Sequence, residues 1–514
     1  MRFPSVRCLT LLLAASLVWG GGAHADAGST AIAALLQRGG AIALAGRTVE
    51  TGMLNRVYAA RDYRPIWNTE RRGELATALA QAPSHGLDPG VFAVPDAGPA
   101  ATDVLLTDAF VRYAPALGRG LVTMGDVDRD WAIPQPSLDP ASVLARALDH
   151  GIAATLAELP PQDAEYARLR QAYLRYHVFT QRAAWQPIAL KLPLKPGASG
   201  PDVVKLRQRL AAEDLVPPGD SSDFDAALAA AVSRFQAAHG LPSDGAVRLA
   251  TLAALNVTPG ARLRTIRLNL ERRRAMPRDE APTRLIVNVP AAAVTLYQDG
   301  QKPLTMRAIV GDPNHPTPVL QASIIALLLN PPWIVPTSIA AKEILPLARK
   351  DPGYLERNDY TVEGPGGGQL IQRPGPKNAL GRIKFELPNR FDVYLHDTPA
   401  KALLTRARRA LSHGCIRVEH PRDLARRVMA GDREWTMDAI DAAIAAGKTR
   451  RVTLPHPIPV FIVYWTAYVD DDGTVEFRND IYGRDQRLDQ ALVVHDMAEQ
   501  LRAPARAGAA ARPG

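Results

Sequence analysis

The chain has 514 residues, of which 47% are hydrophobic, and carries a formal net charge of +9. At roughly 150 residues per domain this length predicts about three domains with ample apolar content for their cores. The basic excess is mild and holds no long Lys/Arg block, so nothing reads as a nucleic-acid module, although an anionic cell-wall polymer would suit it.

Residues 1–25 read as an export signal. Arg2 and Arg7 supply the positive start, Leu9 to Trp19 the apolar stretch, and Ala23-His24-Ala25 the small residues before cleavage. A bilayer span needs roughly 20 apolar residues, more than this stretch offers, and no later segment is long and apolar enough. The mature protein is therefore expected to be soluble and periplasmic, beginning near Asp26. Residues 26–188 predict a helical domain: apolar residues recur at helical spacing, as in Val143, Leu144, Ala147 and Leu148. Within it stand an aromatic-rich edge, Arg61 to Trp67, and the turn His85-Gly86-Leu87-Asp88-Pro89.

Residues 189–258 predict a three-helix unit. Ser199 and Asp202 make an S-x-x-D start signal, Asp225 opens a second helix, and a third runs through Leu249, Leu252 and Leu255. The pattern Phe235-Gln236-Ala237-Ala238-His239-Gly240-Leu241, followed by Asp244-Gly245 and Thr251, resembles the type 1 peptidoglycan-binding domain.

Residues 259–282 predict an arginine-rich linker helix, after which the period changes from helical to alternating. Leu285, Val287 and Val289 alternate, as do Val294 and Leu296 and, past the turn Asp299-Gly300, Leu304, Met306 and Ala308. Further strands are expected at Ile324–Leu329, Phe391–Leu395, Ile416–Val418 and Val460–Phe477, with helices near Leu424–Met429 and Met437–Ala446. Residues 283–485 thus predict a mainly β domain, and 486–514 a closing helix and a disordered Ala/Arg/Pro/Gly tail. The fold class expected is multidomain α+β: helical scaffold, three-helix module, mainly β catalytic domain.

The chemistry centres on Cys415. Cys8 lies in the export segment, so Cys415 has nothing to pair with and is either inert or kept for reactivity. A free thiol has a pKa near 8.5 and needs a base or cation beside it. His396 ends a strand-like run 19 positions earlier, and Cys415 begins another. Two neighbouring strands would put the side chains together, so His396 is the expected base. His413, two residues from Cys415 in a tight turn, is expected to point away and organise the loop. Gly414 lets the chain turn and leaves its own N–H and that of Cys415 to face a developing oxyanion. Ser412 would hydrogen-bond within the turn, and Arg417 would offer a cation to a substrate carboxylate. The Ser412-His413-Gly414-Cys415 run lacks zinc-ligand spacing, so no metal or cofactor is expected.

At these residues the chain resembles the L,D-transpeptidases with YkuD-type catalytic domains, whose motif is a histidine, about 15 residues, then S/T-H-G-C. Asn330-Pro331-Pro332-Trp333-Ile334-Val335-Pro336, Gln372 to Pro376, Asn378-Ala379-Leu380-Gly381 and Tyr394 to Pro399 are similar to the large periplasmic subfamily of Gram-negative bacteria. That subfamily has a scaffold region, a peptidoglycan-binding domain and a catalytic domain with a capping insertion, here about 338–377. One departure is Arg417, where many members have asparagine.

The resemblance implies that Cys415 attacks the carbonyl between residues three and four of a tetrapeptide stem, expels D-alanine and forms a thioester. His396 would take the thiol proton, and backbone donors around His413 to Cys415, with Tyr394, would hold the oxyanion. Arg417, Trp333 and Asn378 would bind substrate. A diaminopimelate amine on a second stem would then close a 3→3 crosslink, and a carbapenem would acylate the same sulfur. Partners would be donor and acceptor stems and other cell-wall synthases. Water or a protein lysine as acceptor remains an alternative ending, and a wall-binding scaffold without catalysis is a second class.

Overall fold

The computed structural model describes residues 27–182, 185–278, 281–364 and 368–502. The export segment, the C-terminal tail and the centre of the Gly364–Gly368 run lie outside them. The chain divides into two units, one of residues up to 68 with 94–108, the other of 69–93 with 109–504.

The first unit pairs the helices Ala27–Leu36 and Thr51–Ala59 with a hairpin, Ala41–Leu44 against Arg47–Glu50. Its aromatic edge is docked on one buried carboxylate. Asp103 accepts from the Ile66 and Trp67 backbone N–H groups at 2.9 and 3.0 Å and from the Tyr58 hydroxyl at 2.5 Å. The edge therefore serves packing, because three donors removed from water need a strong acceptor.

In the second unit the peptidoglycan-binding pattern folds as three helices, Pro201–Ala211, Ala226–Ala238 and Leu249–Leu255, around Val203, Leu206, Leu228, Val232 and Phe235. Asp225 caps the second helix by accepting from the Leu228 N–H. The S-x-x-D signal does not form a cap: Gly200 holds the N-cap position, and Asp202 turns back to the Lys191 N–H at 2.8 Å. One side chain explains the rest of the motif. Gln236 donates to the Ala246 carbonyl and Thr251 hydroxyl and accepts from the Gly245 N–H, joining the F-Q, D-G and T positions in one buried network.

His239 closes that helix, its ring stacked 3.9 Å from Phe235 and 5.6 Å from Phe477. Burial, then the nearby Arg262 charge, pushes its pKa down to about 3. Burial likewise pushes His85 down to about 2. Between pH 6.5 and those values the unfolded chain binds protons at these rings that the folded chain refuses, so stability falls as pH is lowered through the window. Melting temperatures taken at pH 7, 5.5 and 4 should drop, and the drop should be smaller in His239→Gln than in the parent. Equal slopes would mean His239 is not held neutral.

The helix expected as a linker, Pro259–Arg274, is instead a core element. Ile266, Leu268, Leu270 and the polar run Asn269 to Arg274 are all buried. Ile266 and Leu270 pack with Tyr166, Leu169 and Phe179 of the helix Ala164–Thr180 and with the hairpin Ala467–Val469/Val475–Phe477. Its last three arginines, Arg272 to Arg274, are buried with partners: Arg272 pairs with Asp485 and Arg273 with Asp163, each at 2.6 Å. A charge run usually marks a solvated face, and here the ion pairs replace the solvent.

The catalytic region is a closed barrel of eight strands: β1 Arg284–Asn288, β2 Ala293–Tyr297, β3 Leu304–Gly311, β4 Val319–Leu329, β5 Ile383–Glu386, β6 Leu395–His396, β7 Ile416–Val418 and β8 Arg450–Val463. Around the barrel the order is β5-β6-β7-β3-β2-β1-β8-β4, with β4 pairing back to β5. Closure leaves no free edge on the ring. β6–β7 and β8–β1 are parallel and the rest antiparallel. The strand expected at Phe391–Leu395 is reduced to Leu395–His396. Asn389 takes up the preceding backbone, accepting from the Phe391 N–H and donating to the Val393 carbonyl, so those groups leave the ladder. Pro455, Pro457 and Pro459 mask β8 in the sequence, and the strand tolerates them through a register shift between Thr453 and Ile458.

Between β4 and β5 the chain builds a cap. Trp333–Ile334, Tyr360–Glu363 and Gln369–Gln372 form a separate three-stranded sheet, and a helical run through 337–357, with a π-helical turn at Ala340–Ile344, packs on it around Val335, Ala340, Ile344 and Leu370.

Candidate active site

Register decides what meets Cys415. Leu395 pairs with Ile416 and His396 with Arg417 in the parallel ladder, and the Ile416 N–H donates to the Tyr394 carbonyl at 3.0 Å. Leu395, Ile416 and Val418 point into the hydrophobic core. Because side chains alternate along a strand, Tyr394, His396, Cys415 and Arg417 share the opposite face. Lys384 of β5, opposite His396, joins them. Tyr394 lies across from Cys415, and His396 is its diagonal neighbour one pleat further on.

His396 is buried, and its Nδ1 lies 2.6 Å from the Asp397 carbonyl oxygen. A carbonyl only accepts, so Nδ1 carries the proton and Nε2 keeps the lone pair. Burial, reinforced by the Arg417 charge, pushes the ring pKa down to about 3, so it rests neutral at physiological pH. Behind it the Asp397 carboxylate accepts from the Arg382 N–H and Lys401 at 2.8 and 2.6 Å. Gly381, at φ +62°, passes so close that an added Cβ would overlap that carboxylate, which accounts for the glycine of the Asn378–Gly381 motif.

Cys415 is half-buried. Burial raises its thiol pKa, while the Tyr394 N–H and hydroxyl, Lys384 and Arg417 act the other way. The Lys384 ammonium sits 3.8 Å from the centre of the Tyr394 ring, and burial lowers its pKa. The resting sulfur is thus protonated, and a nucleophilic role would call for a base beside it.

The loop that carries Cys415 turns at Gly414, whose φ of +107° suits glycine alone. Ser412 closes the turn, its hydroxyl donating to the Cys415 carbonyl at 2.6 Å and accepting from the Gly414 N–H at 3.3 Å. The Gly414 N–H is therefore engaged and not free for an oxyanion as expected. The N–H groups of His413 and Cys415 have no partner among the described residues. His413 turns outward, its Nε2 2.7 Å from Glu343 on the cap and its ring 4.5 Å from that of His315.

Asn378 has a different place from that expected of a substrate-binding residue. It is fully buried, donates to the Gln372 and Arg373 carbonyls and accepts from the Leu380 N–H, so it holds the return of the cap. Trp333 is half-buried against the cap's core. Arg417 is half-buried with its Nε unpartnered, and burial lowers its pKa against the pull of Cys415 and Glu343. Sequence reasoning passed over Lys384, Glu343 and Thr317. Only the alternation Ile383-Lys384-Phe385-Glu386 could have flagged the first, and nothing local flags the others.

A neutral imidazole and a thiol on one barrel face, beside an unpaired backbone donor, are the parts that cysteine-centred acyl transfer calls for. Comparison with known proteins gives the domains that the chain carries. Residues 282–438 match the L,D-transpeptidase catalytic domain YkuD, residues 53–172 a scaffold domain, and residues 199–255 a putative peptidoglycan-binding domain. The chain thus carries the catalytic domain of the YkuD L,D-transpeptidases, a cysteine-dependent enzyme family, together with scaffold and peptidoglycan-binding domains. A curated relative, a putative L,D-transpeptidase of Haemophilus influenzae, is 30% identical over 250 residues, 45% of this chain; the match spans only half of the relative's length. Among solved structures, an L,D-transpeptidase from Xylanimonas cellulosilytica is 17% identical, covering 54% of this chain and all of that one at a TM-score of 0.18. One from Mycobacterium smegmatis is 16% identical, covering 36% and 59% at 0.19. Among the described residues no helix is long and apolar enough to cross a membrane.

Proposed function

We propose that this protein is a periplasmic L,D-transpeptidase that joins diaminopimelate residues of neighbouring peptidoglycan stems in 3→3 crosslinks through a thioester on Cys415. The observation that supports this most is the placement of a neutral His396, its Nε2 lone pair unspent, on the same barrel face as a protonated thiol. As the sulfur closes on the donor carbonyl, His396 takes its proton, the Cys415 N–H and Tyr394 hydroxyl receive the charge on oxygen, and D-alanine leaves with a proton returned by the imidazole. His396 then takes a proton from the acceptor amine as it attacks the thioester. Arg417 and Lys384 give the face a positive field for stem carboxylates, and Trp333 stays assigned to substrate contact. Ser412, His413 and Gly414 shape the loop. Residues 189–258 are assigned to holding the wall.

Incubation of the purified protein with disaccharide-tetrapeptides, followed by mass spectrometry, tests the reading. A dimer lacking one D-alanine is expected. Free tripeptide alone would replace transpeptidation by hydrolysis, and unchanged substrate would leave only a wall-binding scaffold.

A further inference from the structure

The loop that follows β3, Gly311 to Thr317, runs beside the catalytic turn and is tied to it by hydrogen bonds. The Asp312 N–H donates to the Ser412 carbonyl at 2.8 Å. Thr317 is fully buried. Its hydroxyl donates to the Gly414 carbonyl at 2.8 Å and accepts from the Gly311 N–H at 2.9 Å. Tyr482 backs this contact, its hydroxyl donating to the Gly311 carbonyl at 2.5 Å and accepting from the Thr317 N–H at 3.2 Å. Both lone-pair and proton capacity of the threonine hydroxyl are thus committed, and its direction is set.

The consequence lies one bond away. The peptide joining Gly414 to Cys415 is planar and trans, so its C=O and N–H point in opposite directions. Holding the Gly414 carbonyl inward aims the Cys415 N–H outward. That N–H, like the one of His413, has no partner among the described residues, whereas the Gly414 N–H goes to Ser412 and the Ile416 N–H to Tyr394. Glycine at position 414 is freer to rotate than any other residue, so without a brace this peptide plane is the part of the loop least held by its own sequence.

We propose that Thr317 is the positioning residue of the oxyanion site: its hydroxyl fixes the Gly414–Cys415 peptide plane so that the Cys415 N–H meets the oxygen that becomes negative. The inference rests on the assignment of Cys415 as the acylated nucleophile. It touches no substrate itself and acts through the backbone.

Two reagents that attack the same sulfur separate this role from general support. Iodoacetamide alkylates the sulfur by losing iodide from a saturated carbon and forms no oxyanion, whereas a carbapenem such as imipenem acylates it through a tetrahedral oxyanion. In Thr317→Val, which keeps the shape and removes the hydroxyl, the acylation rate is expected to fall about 10- to 100-fold, less than the roughly 10²–10³ lost when a donor is deleted outright. The alkylation rate should stay within about twofold of the parent, and Thr317→Ser should restore acylation. Should the valine variant not fold, Tyr482→Phe perturbs the same brace one bond further back and should slow acylation alone by a smaller factor. Equal loss of both rates, or loss of neither, overturns the positioning role. A wild-type protein that is alkylated but never acylated overturns the thioester reading, and this inference with it.

Discussion

Cys415→Ala is expected to lower crosslink formation by on the order of 10⁴-fold or more, with binding to isolated peptidoglycan unchanged. The size follows from the chemistry that would remain. Without sulfur the site keeps a neutral imidazole, an oriented N–H and two cations, Lys384 and Arg417. None of these forms the acyl intermediate that splits the exchange into two easier steps. Cys415→Ser should recover little, because the site provides only a neutral base with a pKa near 3 and a serine hydroxyl is far less acidic than a thiol. Wall binding is assigned to residues 189–258, whose core of Val203, Leu206, Val232 and Phe235 is its own. Dimer yield by mass spectrometry and co-sedimentation with purified sacculi read the two properties separately. Substantial turnover by the alanine variant would remove Cys415 as the nucleophile.

Glu271→Ala is expected to destabilise the protein by about 3–5 kcal/mol, one of the largest single effects available outside the barrel. Glu271 is fully buried in the helix Pro259–Arg274 and pairs with Arg274 at 2.7 Å. It also accepts from the Leu121 and Val122 N–H groups at 2.5 and 3.1 Å. Arg274 in turn donates to the His85 carbonyl and the Tyr166 hydroxyl. Burial disfavours its charge, yet Tyr166 and Glu271 more than offset that and hold its pKa above the ordinary value. Removing the carboxylate strands a guanidinium and two backbone donors in a space closed to water, and an unpaired buried charge is far costlier than an unmade surface bond. Glu271→Gln, which keeps an acceptor for the N–H pair, should cost less. Denaturant midpoints of the full chain measure both, and a loss under about 1 kcal/mol for the alanine variant would show that water reaches Arg274.

Much of the architecture was legible in the order of residues because it is encoded locally. The D-G turn after Leu296, the Asp225 cap and the inward positions Leu228, Val232 and Phe235 each depend on neighbours within a few residues. What failed to show was non-local. Pro455, Pro457 and Pro459 hide a strand that exists because β4 and β1 flank it on both sides. Arg272 and Arg273 look solvated until Asp485 and Asp163 arrive from distant segments. Asn378 sits in a motif next to the site yet spends every polar atom on the cap's backbone.

By itself the sequence determined which atoms are the candidates for chemistry: a thiol in Ser412-His413-Gly414-Cys415, a histidine 19 positions before it, and a glycine where the chain must turn. Residue identity and short-range spacing are properties of the chain alone. Tertiary structure decided how those atoms are tuned. It set the neutral state of His396 through burial and the Asp397 carbonyl, brought Lys384 from β5 beside the sulfur, and selected the Cys415 N–H over that of Gly414 as the free donor. Dielectric, register and the direction of a peptide plane arise from groups far apart in the chain, and they exist only once the barrel has closed.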